Sequence, residues 1–424
     1  MKNFILLLTI ICLTNPVFSQ QRNVNQDESK VPVFDLPDVL LSSNGTKVTS
    51  VQQWENVRRP ELLNLFMMQV YGAPYILKNS GIGVKYENLT ENHQSLNGKA
   101  ICKQVKITLS KKDMVREIML LIYLPKALKE NIPVFLSYNF NGNHTVQPDP
   151  EILISPALAK ISTRDQSELR GSQSSRWNVE MIVDEGFAVV TACYHDVFPD
   201  KANLKHESIL PLFDGYEATK SDAHAEQAIG AWGSGYRIIM DYIESEKVFD
   251  AKRVALMGHS RQGKAALWAG AQDPRFSIVI SNNSGCGGAA LSKRRFGETV
   301  DLITTSFPHW FCPAFTVYAN NEDALPIDQH ELIALIAPRP VYIASAEEDL
   351  WADPKGEFLS GAYAGSVYKL YGLKGLETEK MPPVHAPIMN HVGYHIRSGI
   401  HDVTDYDWQQ YMKFAKKHWG MNKF

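Results

Sequence analysis

Short apolar runs alternate with longer stretches of helical periodicity from about residue 100 to the end of the chain. The runs Glu117–Leu124, Val134–Tyr138, Val189–Cys193, Val254–Met257, Ile278–Ile280 and Val341–Ala344 are apolar at most positions. A strand with one face in water would alternate apolar and polar residues. These runs instead predict strands covered on both faces, the habit of a parallel sheet between helical layers. An earlier segment differs: Ile101, Lys103, Val105, Ile107 and Leu109 share one face, as in an edge or half-buried strand. Pro133 stands just before Val134, where the start of a strand tolerates a missing N–H.

Between the runs the period changes to that of a helix. Ala223 to Glu244 carries Ala228, Trp232, Tyr236, Ile239 and Ile243 at helical spacing, and Arg261–Ala271 is rich in Ala, Lys, Leu and Gln. Val392–Arg397 reads as a further strand. A last helix is expected to open near Thr404, with a hydroxyl to cap it, Asp407 three residues on, and Lys416, Lys417 and His418 at its negative end. Strand and helix alternating over this length predict a three-layer α/β fold with a mostly parallel central sheet, in which sites form at the carboxyl ends of the strands. Residues 20–31 are polar and aperiodic, and 20–34 is expected to be a mobile leader. With no repeat or linker after them, 35–424 is expected to be one catalytic domain.

Composition narrows the picture little. Of 424 residues, 44% are hydrophobic and 21% charged, ordinary for a globular chain able to bury a core without staples. A net charge of −3 without a basic stripe argues against a nucleic-acid partner. The N-terminus says more. Lys2 precedes the apolar run Phe4–Cys12, which is too short to span a bilayer, and Val17 and Ser19 then fit a cleavage site. Residues 1–19 therefore read as a signal peptide cut near Ser19 or Gln20, and the protein is expected to be exported, to the periplasm or the medium. Ile11 before Cys12 does not suit a lipoprotein cut there. No later run is long enough to span a membrane. Cys102, Cys193, Cys286 and Cys312 match no metal-ligand spacing and are expected to be buried thiols.

The candidate chemistry begins at Gly258-His259-Ser260-Arg261-Gln262-Gly263, where an apolar strand runs into a helix without a loop. That is the context of a nucleophile elbow, in which a sharp turn lifts a serine above the sheet at the positive end of the next helix. Gln262 stands where a second glycine is usual, and Gly263 comes one later, so an N-capping serine is the competing reading. Ser260 would need an imidazole base and a carboxylate to orient it, in the chain order Ser, acid, His. His401 falls between the last strand and the last helix, beside Gly399, which favours it over His391 and His395. Those two sit at i, i+4, but the segment reads as a strand, so no zinc site is expected. Asp349, a few residues past the strand Val341–Ala344, is the preferred acid. Asp353 is the alternative, although Pro354 after it marks a helix that Asp353 could cap.

The run Gly258–Asp273 resembles the bacterial glucuronoyl esterases, carbohydrate esterase family 15, of the α/β-hydrolase fold. So do the stretches 139–144, 284–290, 335–340 and 351–358. The resemblance covers about residue 35 to the end. It implies cleavage of the ester between a 4-O-methyl-glucuronic acid branch of xylan and a lignin alcohol; no metal or cofactor is needed, and a monomer is expected. It implies Ser260 as nucleophile, His401 as base and Arg261 as oxyanion stabiliser, with Lys264, Glu298 and Trp351 holding the sugar. Members of the family place the acid at one of two positions. The first corresponds here to Asn283, which carries no charge, and the second to Asp349. Fungal members have cysteines beside the catalytic Ser and His that form a disulfide; here those neighbours are His259 and Asp402, so that staple is absent, which agrees with the bacterial branch. Trp268 and Trp310 are expected to be core. Two other readings remain open: an acetyl or feruloyl xylan esterase with the same triad, and an inactive carbohydrate-binding homologue.

Overall fold

Among residues 24–421, which the computed structural model describes, ten strands join in one sheet. They are β1 (Gly83–Ser95), β2 (Ala100–Lys111), β3 (Met114–Pro125), β4 (Ile132–Asn139), β5 (Ala188–Cys193), β6 (Phe249–His259), β7 (Ile278–Asn282), β8 (Val341–Ala346), β9 (Ile388–Met389) and β10 (Val392–Arg397). Their order is β1-β2-β3-β5-β4-β6-β7-β8-β10-β9. From β5 to β10 the neighbours are parallel, whereas β1, β2, β3 and β9 pair antiparallel at the two flanks.

Strands β4, β5, β7 and β8 are buried at every position, and their alternate residues feed two cores. Val134, Leu136, Val254 and Leu256 pack with the helices Ala228–Ser245, Arg261–Gln272 and Pro354–Leu370 on one face. Phe135, Ala255 and Met257 pack with Val179–Asp184 and Asp405–Trp419 on the other. This is the three-layer α/β-hydrolase fold, and it places the carboxyl ends of β6, β8 and β10 along one rim.

Several expectations change. Glu117–Leu124 lies in β3, which is antiparallel to both β2 and β5; its dense apolarity reports burial on both faces, not strand direction. The 13-residue β1 has mostly exposed or half-buried positions and carries no apolar alternation to announce it. The long helix starts at Ala228 and not at Ala223, because the preceding backbone is committed elsewhere: Ala73 N donates to His224 O at 2.9 Å and Ala314 N to Ala223 O at 2.8 Å. The described part of the leader, residues 24–34, is tied to the body. Gly297 N donates to Asn25 O at 2.7 Å, and Glu28 pairs with the buried Arg294 and, at 2.6 Å, with Lys355. A guanidinium withdrawn from water demands acidic partners, and Glu28 is one of them. The signal peptide proposed for residues 1–19 lies outside the described residues. The four described cysteines are buried and free. No helix among the described residues is long and apolar enough to cross a membrane.

Candidate active site

Ser260 joins the end of β6 to the helix Arg261–Gln272 with φ 56° and ψ −130°, a conformation costly for any residue with a Cβ. The turn is held by Ser260 N donating to Asn282 O at 2.9 Å and Gly263 N donating to Ser260 O at 2.8 Å. A Cβ at Gly258 would stand 2.0 Å from Gln262 O, and one at Gly263 would stand 2.8 Å from Ser284 Cβ. The second close approach thus falls at 263, which explains the displaced glycine of the motif. Gly258→Ala is expected to destabilise the fold by about 3 kcal/mol or more, read as a lowered Tm, because the clash is with backbone. The Arg261 N–H belongs to the first turn, where helix donors lack intrahelical partners and favour negative charge.

His401 sits on the loop between β10 and the helix Asp405–Trp419. Arg397 wraps that loop, donating to Ser398 O at 2.9 Å, Ile400 O at 3.2 Å and Asp402 O at 2.6 Å. Asp407, fully buried, accepts from Arg397 Nε at 2.8 Å, from His395 Nε2 at 2.9 Å and from the Thr404 hydroxyl at 2.8 Å. Burial alone would raise the Asp407 carboxyl, but these donors and the Arg397 charge hold it below its ordinary range. His395 is therefore a buried structural partner of Asp407 and of Tyr342, whose hydroxyl lies 3.0 Å from Nδ1.

The loop after β8 meets this one through Glu347 N to Arg397 O at 2.8 Å and Glu348 N to Gly399 O at 3.1 Å. That register brings Asp349 Oδ2 to 2.5 Å from His401 Nδ1. With Nδ1–H donating to the carboxylate, Nε2 is the ring's acceptor. Asp353 goes elsewhere: it accepts from Gly356 N at 2.9 Å, capping the helix Pro354–Leu370, and pairs with Arg294 at 2.9 Å. Beside the serine, His259 lies with its ring centroid 4.5 Å from that of His401 and its Nδ1 2.6 Å from Asn282 Oδ1. Burial, reinforced by His401, pushes the His259 imidazole well below its usual range, so it stays neutral. Asp402 pairs with Arg176 at 2.5 Å.

Ser260, His401 and Asp349 line one cavity of about 310 Å³ together with Arg261, Lys264, Glu298 and Trp351. Ser260 Oγ and His401 Nε2 share no hydrogen bond in this geometry, and such bonds commonly tighten only with substrate in place. Lys264 Nζ donates to Ser284 O and Cys286 O at 2.6 Å each and faces Glu298 Oε2 at 3.3 Å. Both charges are buried, so neither is a solvated surface group. Trp351 is 42% exposed and is not core. Trp268 is core, stacked on Tyr71 at 4.6 Å, but Trp310 is not only core: it lines the cavity, and the Arg261 guanidinium lies 4.6 Å from its ring centroid. Asn283 lines the same cavity with φ 46° and a buried side-chain amide that has no protein partner.

Sequence reasoning missed two acids. Glu357, fully buried, accepts from Ser284 N at 2.7 Å, Gly285 N at 3.1 Å and Ser345 Oγ at 2.7 Å, and so fixes the loop beneath the cavity. Burial pushes its carboxyl up to about 8, against those donors. Asp200 collects Arg261, His309, Trp310 and Tyr194. Neither has a local signal: Glu357 reads as a helix residue after Pro354, and Asp200 as an acid in a loop.

The family described as glucuronyl esterase, fungi, matches residues 175–372, a span that includes Ser260 and Asp349 and stops short of His401. The carbohydrate esterase MZ0003 from an unknown prokaryotic organism is 45% identical over 409 residues, 95% of this chain and 94% of that one. Among solved structures, the glucuronoyl esterase from Solibacter usitatus superposes with a TM-score of 0.88 at 44% identity, over 92% of this chain and 100% of that one. A promiscuous CE15 esterase from a marine bacterial metagenome does so with a TM-score of 0.85 at 44% identity, over 93% and 100%.

Proposed function

Because this chain belongs to the glucuronoyl esterases of carbohydrate esterase family 15, we propose that it hydrolyses esters of glucuronic acid, including its 4-O-methyl form, that join xylan to lignin alcohols. The observation that carries the reading is the Asp349–His401 pair opening onto the cavity that holds Ser260 and the buried Lys264–Glu298 couple. His401 Nε2 takes the Ser260 proton as Oγ attacks the uronate carbonyl, and Asp349 steadies the imidazolium. The Arg261 N–H and guanidinium stabilise the oxyanion. The tetrahedral intermediate collapses as His401 protonates the leaving alcohol. Water, activated by the same imidazole, then attacks the acyl-enzyme, and the uronic acid and Ser260 are released. Lys264 and Glu298 bind sugar hydroxyls, and Trp351 offers a ring face to the pyranose. Nucleophile, base and acid all come from side chains, so the scheme uses no metal or cofactor. The enzyme acts as an exported monomer, the export resting on residues 1–19.

The test is hydrolysis of benzyl and methyl glucuronate esters beside acetylated xylan. Uronate release well ahead of acetate release is expected, and acetate release with the uronate esters untouched would overturn the assignment. A broader ester range has one observation in its favour, the described promiscuity of the metagenomic relative. It would appear in the same assay as comparable rates on both substrate classes.

A further inference from the structure

We infer that Asp200 is the positioning residue for Arg261, a carboxylate that locks the guanidinium into the orientation the developing oxyanion requires. This deepens the reading above and rests on the role proposed there for Arg261.

Asp200 lies in the loop after β5, at the carboxyl end of the sheet where Ser260 also sits. Its Oδ2 accepts from Arg261 Nη1 and from the Tyr194 hydroxyl at 2.9 Å. Its Oδ1 accepts from His309 Nε2 at 2.7 Å and Trp310 Nε1 at 2.8 Å. Its own N–H donates to His195 Nδ1 at 3.1 Å. Four donors fill the lone-pair sites of an ionised carboxylate, so its orientation is fully determined. Burial works against the charge, yet His309, Arg261 and Trp310 together hold the Asp200 carboxyl below the ordinary aspartate range.

The second half of the device is aromatic. The Arg261 Cζ lies 4.6 Å from the Trp310 ring centroid, 5.6 Å from Phe307 and 5.8 Å from Phe140. Trp310 therefore acts twice: its indole N–H fixes the carboxylate, and its ring supports the cation that the carboxylate holds. Nη1 donates to Asp200, and Nε is buried without a protein acceptor. Arg261 lines the cavity, so a guanidinium with donors to spare stands where a ligand would enter.

A carboxylate beside a cation could also weaken it as an oxyanion partner. Here the negative charge is shared among four donors, so it is not devoted to Arg261 alone. An untethered arginine side chain would have to be ordered anew in each transition state. Positioning is therefore expected to outweigh neutralisation.

Asp200→Asn should lower kcat on benzyl glucuronate by about 10²-fold, as misplacement of an oxyanion group does, with KM little changed. Arg261→Ala should lower kcat by about 10²–10³-fold. In the double variant the two losses should not multiply. Added guanidinium ion should restore part of the rate to Arg261→Ala and none to the double variant, because Asp200 supplies the counter-charge and the acceptor that orient the ion, which the aromatic rings do not. Losses that multiply, rescue without Asp200, or a kcat that rises in Asp200→Asn would each overturn the inference. An unimpaired Arg261→Ala would instead remove the oxyanion role on which it rests. Should Asp200→Asn not fold, Tyr194→Phe keeps the carboxylate and removes one donor. It should show a smaller kcat loss that disappears when Arg261 is already Ala, and a loss that persists there counts against positioning.

Discussion

Ser260→Ala should lower kcat on a glucuronate ester by about 10⁶-fold and leave the protein folded. The size follows from what is removed. Without Oγ there is no acyl-enzyme, and His401 has no hydroxyl to deprotonate. What survives is the oxyanion role proposed for Arg261 and the proposed sugar binding; such residual contributions in serine hydrolases sustain about 10³–10⁴-fold over water. The fold should hold because the elbow is built from backbone: Ser260 N to Asn282 O, Gly263 N to Ser260 O, and the close approaches at Gly258 and Gly263. Alanine meets the same φ of 56° that serine meets, so no new strain arises. Single-turnover assays should detect no acyl intermediate, while binding of free glucuronate by calorimetry should persist. That result also separates an esterase from a binding protein, since a binding protein would have no turnover to lose. Retained turnover in this variant would end the assignment of Ser260.

How much of this was legible beforehand depended on the range of the interaction involved. The elbow was legible because its glycines, strand and helix are neighbours in sequence; even the odd position of Gly263 has a local cause in the contact with Ser284. His401 was legible by its place before a helix whose cap, Thr404 with Asp407, is written in adjacent residues. Asp349 and Asp353 both follow β8, and only the register between the two loops, Glu348 N to Gly399 O, shows which reaches the imidazole. Asp200 was not legible at all. Asp196 and Asp200 follow the same strand, and Asp196 turns to Met119 N and Ser155 while Asp200 turns to Arg261. Those partners lie 41 to 77 residues away in the chain, and Trp310, which also binds Asp200, lies 110 away, all beyond any local pattern. The edge strand β1 was missed for the opposite reason, since a strand exposed to water needs no apolar code.

Asp349→Asn should lower kcat by about 10⁴-fold with the fold intact. The carboxylate oxygen 2.5 Å from His401 Nδ1 accepts a proton-bearing nitrogen and so leaves Nε2 free to take the Ser260 proton. An amide can turn its NH₂ toward Nδ1 and favour the other tautomer, with the proton already on Nε2. The base is then blocked before the reaction starts, and the imidazolium formed in the transition state has lost its counter-charge. Asn283→Glu offers an internal control, since position 283 lines the same cavity and its amide is buried without a protein partner. A glutamate there must adopt the φ of 46° that asparagine tolerates more readily, and its charge must be desolvated. Introduced into Asp349→Asn it should recover only a small part of the rate. The pH profile should distinguish the outcomes: a recovered base restores the original profile, whereas an unchanged kcat in Asp349→Asn alone would move the acid to another residue.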